Sequence, residues 1–355
     1  MNTASGPGTG PGGAPAAVAL SPILSARYRA RDLERIRRAA PGARVVSVSL
    51  EGLADGDLRD VEVLLRGPLP AMTFDRLIAR CPHLVWVHSA TAGVERVLTP
   101  AALERGLVIT NARGVFSRPI AEYVLMMILA VSRRLPQLLE LQRERTWQPL
   151  AAREMRDLTV GVIGLGSIGR AVASLATAFG CRVMAVRRDP SGGGSASGAG
   201  AAPPRHAEQP PLEPHVDALL PADRLPELLA QSDFAVLALP LTPDTESLFD
   251  DAMLGHMKPG AWLINVARGR LVDERALMRA LGEGRLGGAV LDTFWEEPLA
   301  SDSPLYGLPN LIVTPHTSWS SGRVLDRSIE LFCDNLGRFA AGEPLLNVVD
   351  SSLGY

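Results

Sequence analysis

The run Val160–Gly169, VGVIGLGSIG, decides the fold. Its first half is short, apolar and β-branched, as a strand buried on both faces should be, and it passes straight into Gly164, Gly166 and Gly169 at the spacing G-x-G-x-x-G. Each glycine has a mechanical task. Gly164 permits a tight turn, Gly166 lets the main chain approach a pyrophosphate, and Gly169 lets the next helix lie close on the sheet. Ser167 and Ile168 fall in that turn, where the first N–H groups of a helix face the phosphates. The turn gains meaning from its flanks, since glycine-rich turns are common in a chain with 34 glycines. A helical pattern, Ala171–Phe179, and a second apolar strand, Cys181–Val186, complete the strand–helix–strand unit.

Downstream, Phe234–Leu239, Ala261–Val266, Gly288–Asp292 and Leu311–Thr314 read as strands alternating with helices, which implies a parallel, doubly wound sheet. Upstream, Val45–Leu50, Val61–Leu65, Leu84–His88 and Leu107–Thr110 alternate with helices such as Thr73–Arg80 in an α/β unit of their own, closed by the loop Asn111–Ser117. Pro119 suits a helix start, and the apolar stretch after it predicts a central, largely buried helix to Leu135. The last helix, Ser321–Phe339, leaves the second sheet, and Asn347–Asp350 is expected to pair back with the first unit. One domain is then inserted into the other, with a cleft between them. The expected boundaries are a disordered tail over 1–17, a substrate domain over 18–113 and 320–355, and a dinucleotide-binding domain over 114–319. Ser191–Pro214, dominated by Gly, Ala, Ser and Pro, reads as a flexible surface insertion near the adenosine end of a bound dinucleotide.

A chain of 355 residues has room for about two domains. With 36 basic against 38 acidic side chains, no global field points to a nucleic acid or an anionic membrane as partner. The first residues lack the basic start and apolar core of a secretory signal, and no run reaches membrane-span length, so a cytoplasmic protein is expected. Cys81, Cys181 and Cys333 stand far apart in apolar stretches; they read as core residues in a reducing compartment, with no metal site.

Four further strings carry a resemblance: NARGVFSRPIAEYVL (Asn111–Leu125), NVARGRLVDE (Asn265–Glu274), LDTFWEEPL (Leu291–Leu299) and TPHTS (Thr314–Ser318). In this order around the glycine motif they resemble the D-isomer-specific 2-hydroxyacid dehydrogenases, over nearly the whole chain. The resemblance implies two Rossmann-like doubly wound domains and hydride transfer between a nicotinamide cofactor and a small D-2-hydroxy or 2-oxo acid. Arg268 matches the family's substrate arginine, whose guanidinium fork suits a carboxylate and an adjacent oxo oxygen. His316 matches the acid/base histidine, and Glu297 the carboxylate that orients an imidazole and favours its charged form. Asp292 resembles the aspartate near the nicotinamide amide; a strand-end cap is its plainer reading. Leu239, Pro240, Val266 and Ala267 match strand ends that line the cofactor. The loop after Ser89, with Ala90, Thr91, Ala92 and Gly93, resembles the loop whose N–H groups meet the substrate carboxylate, although Thr91 stands where glycine is frequent. Arg66, Gly67, Trp295 and Trp319 are candidate pocket walls.

Cofactor choice turns on the end of the second strand. The family usually places there an acid that bonds the ribose of NAD, whereas here the strand runs into Arg187 and Arg188, which suit a 2′-phosphate. NADP is therefore expected ahead of NAD, with Asp189 the residue that would favour NAD. The same arginine pair resembles the NADPH-linked glyoxylate/hydroxypyruvate reductases. Formate dehydrogenases carry glutamine at the position of Glu297, which argues against formate; a phosphite-type dehydrogenase stays open. The regulatory domain frequent in 3-phosphoglycerate dehydrogenases is not expected with this chain, which runs to Tyr355. A dinucleotide-sensing, corepressor-like binding protein without turnover is the alternative from another class. The resemblance also implies a homodimer through the cofactor domain, around the helix that begins near Pro119.

Overall fold

A computed structural model describes residues 12–23, 28–188 and 215–351. These form two compact units, one from residues up to 116 and from 321 onward, the other from 117 to 320. The insertion expected over 191–214 and Asp189 lie outside the described residues.

The first unit holds a five-stranded, all-parallel sheet in the order β2-β1-β3-β4-β5, formed by β1 (Ala17–Leu20), β2 (Arg44–Ser47), β3 (Val61–Arg66), β4 (Trp86–Ser89) and β5 (Val108–Thr110). The period-two alternation of a strand divides its side chains between two faces. Ala17 and Ala19 join Phe74, Leu77 and Ile78 of α2 (Ala71–Arg80) and Ala102 of α3 (Pro100–Glu104) in one core. Val18 and Leu20 join Ile36 of α1 (Ala30–Ala39) and Phe332, Leu336 and Phe339 of the C-terminal helix in the other. There Trp86 stacks on Phe339 with ring centroids 5.5 Å apart. Ala17 is fully buried in β1, and the Gly13 N–H donates to Ala340 O, so the inner end of the expected tail is held by backbone pairing. The expected return of the C-terminus is present: Val348 bridges Thr110 antiparallel, and the Val349 N–H donates to Ile109 O.

The second unit opens with α4 (Ser117–Ser132) and α5 (Leu135–Arg143), followed by a seven-stranded, all-parallel sheet. Its strands are β6 (Thr159–Ile163), β7 (Arg182–Val186), β8 (Ala218–Leu220), β9 (Phe234–Leu237), β10 (Trp262–Asn265), β11 (Gly288–Leu291) and β12 (Leu311–Val313), in the order β12-β11-β10-β9-β6-β7-β8. Helices α6 (Ser167–Ala178), α7 (Leu225–Gln231), α8 (Asp251–Gly255) and α9 (Glu274–Gly282) intervene, and α10 (Val324–Ala341) belongs to the first unit. The helix expected to reach Leu135 stops at Ser132. Arg134 takes a left-handed φ of 61°, and Pro136, just past the expected end of that helix, lies in the first turn of a second helix, α5.

Strand order places the site. From β6 the sheet grows through β7 and β8 in one direction and through β9 to β12 in the other, so the direction reverses between β6 and β9. Open parallel sheets take ligands at the carboxyl ends of the strands at such a reversal. The amino ends are pinned by Asp233, whose carboxylate accepts from the Thr159 N–H (2.9 Å), Arg153 (2.9 Å) and Lys258 (2.8 Å). Among the described residues no helix is long and apolar enough to cross a membrane.

Candidate active site

The glycine turn behaves as its spacing predicts. Gly164 has φ 99°, and a Cβ there would stand 2.6 Å from Ala238 O; a Cβ on Gly169 would stand 2.0 Å from Gly164 O. Around Gly166, by contrast, a Cβ would meet no atom within 4 Å. Two glycines are thus required by the protein's own packing, while the third leaves open the space that an approaching ligand needs. Gly166 is also the N-cap of α6 and offers no side-chain oxygen, so no cap side chain accepts from the N–H groups at Ser167, Ile168 and Gly169. An uncapped twelve-residue helix aimed at open space suits a pyrophosphate. A dinucleotide fits this cradle.

Because the sheet is parallel, the carboxyl ends of adjacent strands share one edge. Leu239 and Pro240 follow β9, Val266, Ala267 and Arg268 follow β10, Asp292 follows β11, and Thr314 to His316 follow β12. The order β12-β11-β10-β9-β6 therefore brings sequence-distant residues to the edge that holds the glycine turn. On the other side of β6, the Gly164 N–H donates to Val186 O, which places Arg187 and Arg188 just beyond that turn. The Arg187 N–H donates to Leu220 O and so fixes this end of β7 against β8, a three-residue strand too short to be read from sequence.

Arg268 is held from behind. The buried Asn265 amide accepts the Ala267 N–H (3.0 Å) and donates to Arg268 O (2.8 Å), while one guanidinium nitrogen donates to Ala267 O (2.7 Å). A Cβ on Gly269 would lie 2.0 Å from the carbonyl carbon of Phe294, so the chain after Arg268 packs directly on the segment that carries Glu297. Asn265 was not singled out in the sequence; its signal is a polar side chain closing an apolar strand just before the arginine.

His316 Nδ1 lies 2.7 Å from Glu297 Oε2, and Glu297 Oε1 accepts the Phe294 N–H (3.1 Å). The carboxylate accepts a hydrogen bond from Nδ1–H and so sets the tautomer, leaving Nε2 for chemistry. Both side chains are partly exposed, as groups that meet a substrate must be. His316 itself has φ 49°, a left-handed conformation that a non-glycine residue adopts only when its surroundings enforce it. The enforcing group is Asp292. Fully buried, it accepts from the Thr314 hydroxyl (2.7 Å) and the Thr317 N–H (2.8 Å) on one oxygen and from the Ser318 N–H (2.9 Å) on the other. Of its two expected readings, cofactor neighbour and strand-end cap, this geometry displays the cap.

With an acid/base pair, a held arginine and a glycine cradle on one sheet edge, comparison with known proteins becomes informative. Residues 125–318 match the D-isomer specific 2-hydroxyacid dehydrogenase, NAD binding domain, family. The chain belongs to the D-isomer-specific 2-hydroxyacid dehydrogenases. Its relatives include a glyoxylate reductase of Korarchaeum cryptofilum, 31% identical over 82% of this chain and 82% of that protein. Another is a D-3-phosphoglycerate dehydrogenase of Mycobacterium bovis, 37% identical over 77% of this chain but only 48% of that longer protein. A D-isomer specific 2-hydroxyacid dehydrogenase from Xanthobacter autotrophicus Py2, solved with NADPH and MES, superposes with a TM-score of 0.80 at 32% identity, covering 96% of this chain and all of that one. Members of this family are NAD(P)-dependent oxidoreductases that act on 2-hydroxy acids.

In this dehydrogenase the loop after β4 is internally braced. Thr91 Oγ1 bonds Ser89 Oγ (2.9 Å) and donates to Gly93 O (2.8 Å), the Asn111 amide donates to Ala92 O (3.0 Å), and the buried Ala90 donates to Arg66 O (2.8 Å). Thr91, standing where glycine is frequent, supplies its own loop with a hydrogen-bonding hydroxyl. Arg66 is not a pocket wall. It is buried, and its guanidinium donates to the carbonyls of Gly67 (3.2 Å), Leu69 (2.6 Å) and Arg96 (2.8 Å). Gly67 packs where a Cβ would overlap Pro22 O. Trp319 donates its indole N–H to His316 O (2.7 Å), and Trp295, partly exposed, lies under the Arg270 guanidinium at 5.1 Å.

Proposed function

We propose that this dehydrogenase reduces a small 2-oxo acid, glyoxylate or hydroxypyruvate foremost, with NADPH. The observation that carries the reading is the His316–Glu297 pair standing on the same sheet edge as Arg268 and the open glycine turn. Gly164, Gly166, Ser167, Ile168 and Gly169 would hold the pyrophosphate, and Leu239, Pro240, Val266 and Ala267 would line the dinucleotide. When bound, the reduced nicotinamide supplies the hydride to the carbonyl carbon. Arg268 holds the carboxylate in its fork and polarises the oxo group. His316, its Nδ1–H fixed on Glu297, gives the Nε2 proton to the oxygen as that oxygen gains charge. In the reverse direction the neutral imidazole takes the hydroxyl proton. The N–H groups of Ala92 and Gly93 are assigned to the substrate carboxylate, those of Ala90 and Thr91 being engaged by Arg66 O and Ser89 Oγ, with the unit built from the chain's two ends as the substrate domain and the unit of residues 117–320 as the cofactor domain. The experiment is NADPH oxidation across glyoxylate, hydroxypyruvate, pyruvate and bulkier analogues. Turnover that falls with substrate size supports the reading; tight NADPH binding with no turnover on any of them would leave a binding protein.

Arg187 and Arg188 support NADPH over NADH. Replacing both with alanine should lower kcat/KM with NADPH by about two orders of magnitude, from the loss of two charge-assisted bonds of roughly 1.5 kcal/mol each. Values with NADH should change by less than about threefold, and an unmodified enzyme that favours NADH would refute the preference. A homodimer is proposed through α4 and α5, which leave Met126, Leu135, Leu138 and Leu139 exposed, with Trp147 wholly exposed just beyond. Sedimentation velocity at micromolar concentration should give a dimer, and a monomer at every concentration would contradict it. The reduced cysteines, two of them buried, suit a cytoplasmic setting.

A further inference from the structure

Tyr123 sits on α4, among apolar residues, and its side chain is nearly buried. Its hydroxyl does not end in solvent: it lies 2.5 Å from Thr314 Oγ1. Thr314 in turn donates to Asp292, and Asp292 also receives the N–H groups of Thr317 and Ser318. The proton inventory fixes the direction of the chain. An ionised carboxylate only accepts, so the single Thr314 proton goes to Asp292 and the Tyr123 O–H must donate to Thr314. Burial, opposed in part by the bond to Thr314 and aided by the charge of Asp292, pushes the Tyr123 phenol up to about 12, so it keeps that proton at any working pH. Thr314 and Thr317 flank the imidazole by two residues and one, and the His316 N–H itself bonds Thr314 O (2.9 Å).

We propose that Tyr123 is a positioning residue for His316, holding the turn that carries the imidazole through Thr314 and Asp292. Its catalytic consequence rests on the reaction proposed above. The hydroxyl completes a donor chain onto a buried carboxylate, and without it the Thr314 hydroxyl loses the donor that orients it. The left-handed backbone at His316 then has one restraint fewer. The imidazole would sample orientations in which Nε2 no longer faces the substrate oxygen, and small misplacements of this kind lower the chemical step while barely affecting binding.

Tyr123→Phe removes one oxygen and keeps the packing of α4. We expect kcat with the favoured 2-oxo acid to fall on the order of tenfold while KM for the acid and for NADPH stays within about twofold. Thr314→Val should reproduce the loss, Thr314→Ser should restore most of the activity, and the double variant Tyr123→Phe/Thr314→Val should be no worse than Thr314→Val alone, because both act through one chain. An activity-independent readout is the downfield proton resonance of His316 Nδ1–H on Glu297 in the substrate-free protein, assigned by its absence in His316→Ala; it should broaden in Tyr123→Phe through faster exchange. Unchanged kcat, an unchanged resonance, or losses that multiply in the double variant would each overturn the role. If the unmodified enzyme turns over no 2-oxo acid, the proposed reaction fails, while the resonance still decides for or against Tyr123. Should Tyr123→Phe fail to fold, the Thr314→Val and Thr314→Ser pair carries the same comparison.

Discussion

Replacing His316 with alanine is expected to lower kcat for 2-oxo acid reduction by about 10²- to 10⁴-fold, the range that a positioned proton donor contributes. Affinity for NADPH should stay within about twofold, because the glycine turn of β6 and the arginines after β7 lie on other strand ends and share no hydrogen bond with the imidazole. A smaller loss, on the order of tenfold, is expected for Glu297→Gln. The amide oxygen can still accept from Nδ1 or from the Phe294 N–H, but the negative charge that steadies the imidazolium during transfer is gone. The measurement is steady-state kcat and KM together with cofactor titration by fluorescence. Wild-type turnover in His316→Ala would remove the proton donor from the mechanism.

Arg268→Ala should be at least as damaging, through both parameters. Two charge-assisted bonds of roughly 1.5–3 kcal/mol each amount to about 10²- to 10⁴-fold in kcat/KM. Part of the loss should appear as raised KM, because the carboxylate is bound in the ground state, and part as lowered kcat, because the oxo oxygen gains charge only in the transition state. Arg268→Lys should rescue little of it. An ammonium is a point donor, whereas the Asn265 amide and the Ala267 carbonyl hold this side chain and its backbone for a planar fork. A lysine variant within about threefold of the parent would mean that the site needs charge alone.

The fold was legible where the chain signals it locally. An apolar strand entering a glycine turn, strands alternating with helices, and a C-terminal segment able to pair back are period and composition signals, and each reappears as β6, as the parallel order and as the Thr110–Val348 bridge. Helix α4 ends three residues before its expected limit at Leu135 and α5 has no counterpart in the sequence reading, because a proline after an apolar run looks like a stop, and only the left-handed backbone at Arg134 shows that Pro136 opens a second helix. Within the site, Arg268, Glu297 and His316 were readable because each stands in a motif of chemically specialised residues. Their supports were not. Asn265 looks like the end of a strand, Tyr123 like core in an apolar helix, and Arg66 like a pocket wall, until the sheet shows which polar atoms meet. Short-range patterns report the elements, but hydrogen bonds linking α4 to the turn after β12 depend on topology.

The central claim is that hydride passes to a 2-oxo carbon while His316 supplies the proton, and isotope transfer tests it most directly. Incubating the enzyme with C4-deuterated NADPH and hydroxypyruvate, with mass spectrometry and chiral separation of the product, should yield D-glycerate carrying one deuterium at C2, and His316→Ala should yield almost none. NADPH bound tightly with no deuterium in any hydroxy acid across the substrate panel would contradict the account.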